Sequence, residues 1–124
     1  MNVVIADSKP EIRSALRLLL SQEPDTVVVE AHDVVSLLDA TYANRPALVL
    51  VDWELADQRP AGPRGVSLPD EIAAIVPHAR VIVLSGRPET KSDALAAGAD
   101  AFVCKGDSPD CLLAELKATA TGRD

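Results

Sequence analysis

The stretch "ALVLVDWELADQRPAGPRG", residues 47 to 65, decides how this chain is read. An unbroken apolar run, Ala47 to Val51, meets Asp52 and then a loop rich in Pro, Gly and charge. So apolar a run with no polar alternation predicts a strand buried on both faces, which needs helices above and below it. Why such a strand should end on a carboxylate is the question the rest of the chain must answer.

Working outward, four more runs have strand character: "NVVIA" (2–6), "TVVVEA" (26–31), "RVIVLS" (80–85) and "DAFVC" (100–104). Between them apolar residues recur at helical spacing, as in Ile12, Leu16, Leu19 and Leu20, or Val34, Leu37, Leu38 and Tyr42, or Leu112, Leu113 and Leu116. Strand and helix alternate along the whole chain. The second, third and fourth runs are continuously apolar, which predicts burial on both faces and a doubly wound parallel sheet. Helix starts are marked at Ser8 ahead of Glu11, Ser67 ahead of Asp70 and Ser108 ahead of Pro109, and Gly98 reads as a C-terminal stop. The strand starts at 2, 26, 47, 80 and 100 make the third unit longer than its neighbours. Its surplus lies after Asp52 in "ADQRPAGPR", whose composition is that of an exposed loop.

The bulk numbers agree with a single domain. A chain of 124 residues can bury about two thirds of the surface its unfolded form exposes. The net charge of −7 argues against a nucleic-acid surface and suits a cation better. Only Trp53, Tyr42 and Phe102 are aromatic, so the core must come from Val, Leu, Ile and Ala. Cys104 and Cys111 form neither a disulfide framework nor a zinc motif and are expected to be reduced core thiols. The N-terminus lacks a basic leader and its apolar run breaks at Asp7, so no signal peptide or membrane span is read and a cytoplasmic location is expected. We expect a domain over residues 1–120, with 121–124 a frayed tail or the start of a linker.

In a doubly wound sheet ligands bind beyond the carboxyl ends of the strands, where strand order reverses. The residues at those ends are Asp7, Asp52, Ser85 and Lys105. Singly, each has an ordinary explanation as a cap, a turn former or a solvated charge. Together they are two carboxylates that repel unless a cation or a lysine neutralises them, plus a hydroxyl and an ammonium able to bind phosphoryl oxygens. That set suits phosphoryl transfer to a carboxylate nucleophile. A nucleotide-binding enzyme of similar architecture is disfavoured, since no Gly-rich loop follows the first strand.

With "VVIADSKPEIRSALRLLL", "ALVLVDWEL", "VIVLSG" and "ALAAGADAFVCKGDSPDCLLAEL" in place, the chain resembles the response-regulator receiver domains of two-component signalling, and most of all those of LuxR-type transcription regulators. The resemblance implies a flavodoxin-like (βα)5 sandwich with strand order 2-1-3-4-5. It implies a phosphoprotein and not a conventional enzyme: Asp52 would take a phosphoryl group from the phosphohistidine of a sensor kinase in a phosphorelay. Asp7, Asp52 and the backbone carbonyl of Glu54 would hold Mg2+. Ser85 would be the family's hydroxyl, Lys105 its lysine, and Phe102 the switch aromatic that follows Ser85 on phosphorylation. Glu54 and Arg87 would govern access of water to the acyl phosphate, and Gly86 would be small to admit the phosphoryl group. The output face would be formed by the family's fourth helix, fifth strand and fifth helix, meeting an output domain, a partner protein or a second copy in a homodimer.

Two features depart from the family. The second acid expected after Asp7 is Ser8, a neutral and weaker metal ligand, unless it serves only to cap the first helix. The loop 56–65 is enlarged, with Ala56 where a proline is usual and Gly65 arriving late. It either lies over the site or projects from it, and Asp57, Arg59 and Arg64 read as solvated charges. These departures keep a rival reading alive: a receiver-like interaction module independent of phosphate.

Overall fold

The computed structural model describes residues 1–58 and 66–122. Five parallel strands, β1 (Asn2–Ala6), β2 (Val27–Ala31), β3 (Leu48–Asp52), β4 (Arg80–Ser85) and β5 (Ala101–Cys104), pair in the order β2-β1-β3-β4-β5. The helices are α1 (Pro10–Leu20), α2 (Val34–Asn44), α3 (Trp53–Gln58), α4 (Leu68–Ile75), α5 (Lys91–Ala96) and α6 (Pro109–Gly122). A 3₁₀ turn, Pro88–Thr90, leads into α5. The expected doubly wound, flavodoxin-like sheet is present.

Alternation along the central strands explains the two-sided packing. Val3, Ile5, Leu48, Leu50, Ile82 and Leu84 meet Leu20 of α1 and Leu112 and Leu116 of α6 on one face. The intervening Val4, Ala6, Val49, Val51 and Val81 meet Leu37 of α2, Leu55 of α3 and Leu68 and Ile72 of α4 on the other. Farther along that face Trp53, Val83, Ala94 and Ala99 form a third cluster, against which Phe102 packs half-buried. Side chains with period two on a strand clothed by helices on both sides can only be apolar throughout.

Several sequence expectations change here. β2 is an edge strand whose Val27 is 57% exposed, so its apolar run is not buried on both faces; β1 is the strand that is, beyond Asn2. The helix cap at Ser8 is not formed: α1 starts after Lys9, without a side-chain cap bond, and the Lys9 amide donates to Asp7 Oδ1. Ser67 does cap α4, accepting from the Asp70 amide, and its hydroxyl donates to the Ala97 carbonyl at the end of α5. Ser108 accepts from the Asp110 amide at the start of α6. The capping box at Asp33 and Ser36 of α2 was not anticipated. Tyr42 and Cys111 are exposed and Cys104 is half-buried, so neither cysteine is a fully enclosed core thiol. The enlarged loop does not begin directly after Asp52, since α3 carries Ala56 and Asp57. Arg59, Arg64 and Gly65 lie outside the described residues. Among the described residues no helix is long and apolar enough to cross a membrane.

Candidate functional site

Strand register builds the site. Ala6 lies opposite Val51 and Asp52 opposite Leu84, so Asp7 and Asp52 leave adjacent parallel strands at the same edge. Ser85 ends β4 opposite Cys104, and the Lys105 amide extends that pairing by donating to the Ser85 carbonyl at 2.7 Å. Because β2 lies outside β1 while β3 lies inside it, strand order reverses between β1 and β3. The two carboxylates stand at that crevice.

The lysine closes the arrangement. Lys105 Nζ lies 2.9 Å from Asp7 Oδ2 and 2.9 Å from Asp52 Oδ1. Asp7 and Asp52 are 1% and 3% exposed, respectively, so without the ammonium two buried like charges would face each other. Burial pulls the Lys105 ammonium down, but hydrogen bonds and charge from Asp52 and Asp7 together outweigh it and hold the group above its ordinary value. It stays charged at neutral pH. Asp7 is fixed further by the Lys9 amide, which donates to Oδ1 at 2.9 Å, and its carbonyl accepts from Arg13 Nη1 at 2.6 Å. Asp52 Oδ2 receives no hydrogen bond among the described residues.

Two carboxylates against one ammonium leave net negative charge and an unengaged oxygen in a nearly enclosed place. Such a place attracts a hard cation. Among the described residues no three His, Cys, Asp or Glu side chains cluster as a metal cage. Mg2+ does not need one, since it is commonly held by one or two carboxylates with waters and phosphate oxygens completing the shell. The buried carboxylates of Asp7 and Asp52 fit that pattern, and Glu54 follows Asp52 in the first turn of α3. Ser8 is exposed beside them.

The remaining residues flank the crevice. Glu54 Oε2 and Arg87 Nη2 pair at 3.5 Å, both about half exposed. A Cβ built on Gly86 meets no atom within 4 Å, so that flank is open. Ser85 is buried, but its hydroxyl bonds within its own turn, to the Arg87 amide and Thr90, and to none of the charged trio among the described residues. Phe102 packs near Trp53 in the adjacent cluster. Thr90 and Arg13 were not singled out in the sequence. A Thr just after "GRPE" carries no motif, and Arg13 acts through a backbone carbonyl that no pattern of side chains reveals.

A model of the response regulator receiver domain matches residues 3–117. The chain belongs to the response regulator receiver family. It is 33% identical over 124 residues to the nitrate/nitrite response regulator protein NarP of Escherichia coli K12, covering 97% of this chain and 55% of NarP. NarL of the same strain is 28% identical over 123 residues with the same coverage. The chain thus spans about half the length of the curated relatives it matches. Among solved structures, the isolated receiver domain of RcsB from Salmonella enterica serovar Typhimurium, in the presence of the phosphomimetic BeF3−, superposes with a TM-score of 0.81 at 27% identity, covering 100% of this chain and 91% of that one. A LuxR-family two-component response regulator from Aurantimonas sp. SI85-9A1 gives 0.80 at 26% identity, covering 98% and 86%. Receiver domains of this family work with histidine kinases and output domains and are not classical enzymes.

Proposed function

We propose that this receiver domain takes a phosphoryl group onto Asp52 from the phosphohistidine of a sensor kinase, with Mg2+ bound, and thereby switches an output surface. The observation that supports it best is the Lys105 ammonium held between Asp7 and Asp52 at the strand-order reversal. Asp52 Oδ2, free of hydrogen bonds among the described residues, is the attacking atom. As its bond to phosphorus forms, the bond from phosphorus to the donor imidazole breaks. Lys105 has three ammonium hydrogens and uses two on carboxylates, so the third is available to a phosphoryl oxygen. Ser85 supplies a second donor once its hydroxyl turns toward the crevice. Asp7, Asp52, the Glu54 carbonyl and, more weakly, Ser8 would hold Mg2+, which neutralises phosphoryl charge when bound. With serine in place of a second acid, millimolar Mg2+ is required.

The chain's own chemistry ends at autophosphorylation from a donor and autodephosphorylation. The Glu54–Arg87 pair slows the latter by shielding phosphorus from water. The change at Asp52 reaches Phe102 and the face made by α5, β5 and α6, which meets an output domain, a partner or a second copy. The acidic domain itself makes no nucleic-acid contact. Such an exchange belongs in the cytoplasm, where we place a receiver domain over residues 1–120 and a tail or linker beyond it.

The test is direct. Trp53, next to the acceptor and 7% exposed, should change its fluorescence when beryllium fluoride and Mg2+ are added, and the Asp52→Asn protein should not respond. A wild-type protein that stays silent at saturating Mg2+ would favour the phosphate-independent module instead.

A further inference from the structure

A second hydroxyl sits against the switch position. Thr90 is 5% exposed, and its Oγ1 lies 3.0 Å from Ser85 Oγ and 2.7 Å from the Arg87 carbonyl oxygen. Ser85 Oγ also accepts from the Arg87 amide at 3.0 Å and stands 3.3 Å from the Arg87 carbonyl oxygen. Each hydroxyl owns one proton. With Thr90 donating to Ser85, the Ser85 proton has the Arg87 carbonyl as its acceptor; with Thr90 donating to Arg87, Thr90 Oγ1 is itself an acceptor within reach of Ser85. Both arrangements give the Ser85 proton a partner inside the Ser85–Thr90 turn and away from the crevice. Thr90 immediately precedes α5, yet its side chain makes no capping bond to that helix. Its hydroxyl is committed to the turn beside Ser85.

We infer that Thr90 is a positioning residue, a latch that holds the Ser85 hydroxyl off the phosphoryl site until the group arrives. The inference rests on the reading of Asp52 as phosphoacceptor and adds a residue that sets how readily the domain switches. Ser85 must surrender its bond within this ring before it can contact a phosphoryl oxygen. The cost of that surrender is part of the gap between the two states. Removing the Thr90 hydroxyl lowers the cost and leaves the acceptor, the lysine and the metal donors untouched.

The experiment is a titration with beryllium fluoride and Mg2+, followed by Trp53 fluorescence, in wild type, Thr90→Val, Thr90→Ser, Ser85→Ala and the Ser85→Ala/Thr90→Val double variant. Thr90→Val should bind about fivefold tighter, the equilibrium equivalent of one ordinary hydrogen bond. Thr90→Ser should match wild type, and Thr90→Val should add nothing in the Ser85→Ala background. Thr90→Ala, titrated alongside, carries the same expectation should the valine variant not fold. Unchanged or weaker binding by the hydroxyl-free variants, or equal tightening without Ser85, overturns the latch, while Asp52-dependent binding by wild type leaves the phosphoacceptor reading standing. Absence of binding by wild type overturns both.

Discussion

Lys105 bridges two carboxylates at once, and this is where single substitutions should be felt most. Lys105→Met leaves Asp7 and Asp52 buried without a counter-charge. We expect a loss of about 2–4 kcal/mol in urea unfolding at neutral pH, toward the range for breaking a buried pair from one side. Glu54 and Arg87 are a different case. Their 3.5 Å pair is half exposed, and such pairs are worth about 0–1 kcal/mol. Glu54→Ala or Arg87→Ala should therefore shorten the lifetime of the phosphorylated protein by no more than about fivefold, read as loss of phosphoprotein over time; an unchanged or longer lifetime would remove the gate. The charged trio was legible in the sequence because each member ends a strand, and parallel strands in one sheet must deliver their ends to one edge. The Ser85–Thr90 contact was not, because it depends on how the six-residue turn from Ser85 to Thr90 folds back on itself.

Between elements, the clearest device is the clamp of α1 on β2. Arg13 and Arg17 reach Glu30 at 3.1 and 2.6 Å, and Arg13 also holds the Asp7 carbonyl. The Arg17 hydrogen bond, opposed by partial burial and aided by Arg13, holds the Glu30 carboxyl below its ordinary 4.5. A carboxyl depressed on folding contributes stability above its unfolded value and loses it as pH falls through the folded one. The stability difference between wild type and Glu30→Gln should be small, below about 1 kcal/mol, at neutral pH, and should shrink as pH falls below about 4.5. A difference that holds constant down to acid pH would contradict the clamp. Gly98 shows what a helix end demands. Its φ of +110° suits glycine alone, and a Cβ there would meet the Asp70 carboxylate. Gly98→Ala should cost about 1–3 kcal/mol in thermal or urea unfolding, mostly from the backbone, so Asp70→Ala should not restore it. This glycine was readable from "ALAAG", as was the cap at Ser67. Ser8 misled because the helix begins one residue later, with Lys9 at the N-cap and Pro10 at the first position, and β2 misled because apolar composition does not say which strand ends up at an edge.

At the scale of the molecule, a sheet with helices on both faces holds three charged side chains, Asp7, Asp52 and Lys105, from the ends of three strands against one another. Most of that frame could be read from the alternation of apolar runs and helical periodicities, because only parallel strands clothed on both sides justify runs such as Val49 to Val51. The stiffness of β3, whose five residues are all buried, places Asp52 with little freedom, and a nucleophile so placed meets a donor without a large ordering cost. Trp53 carries the site into the cluster that includes Phe102, and so toward the face of α5, β5 and α6. On the proposed reading, the departures from the family pattern, Ser8 above all, would bear on how tightly Mg2+ is held and not on where Asp52 stands.

The most direct measurement of the central claim is intact and peptide-level mass spectrometry after incubation with a small phosphodonor and millimolar Mg2+. The account predicts one added phosphoryl group, labile to base and to hydroxylamine as an acyl phosphate is, on the peptide holding Asp52, and none in Asp52→Asn. A phosphoryl group on another residue, or none at saturating Mg2+ in a folded wild-type protein, would contradict it.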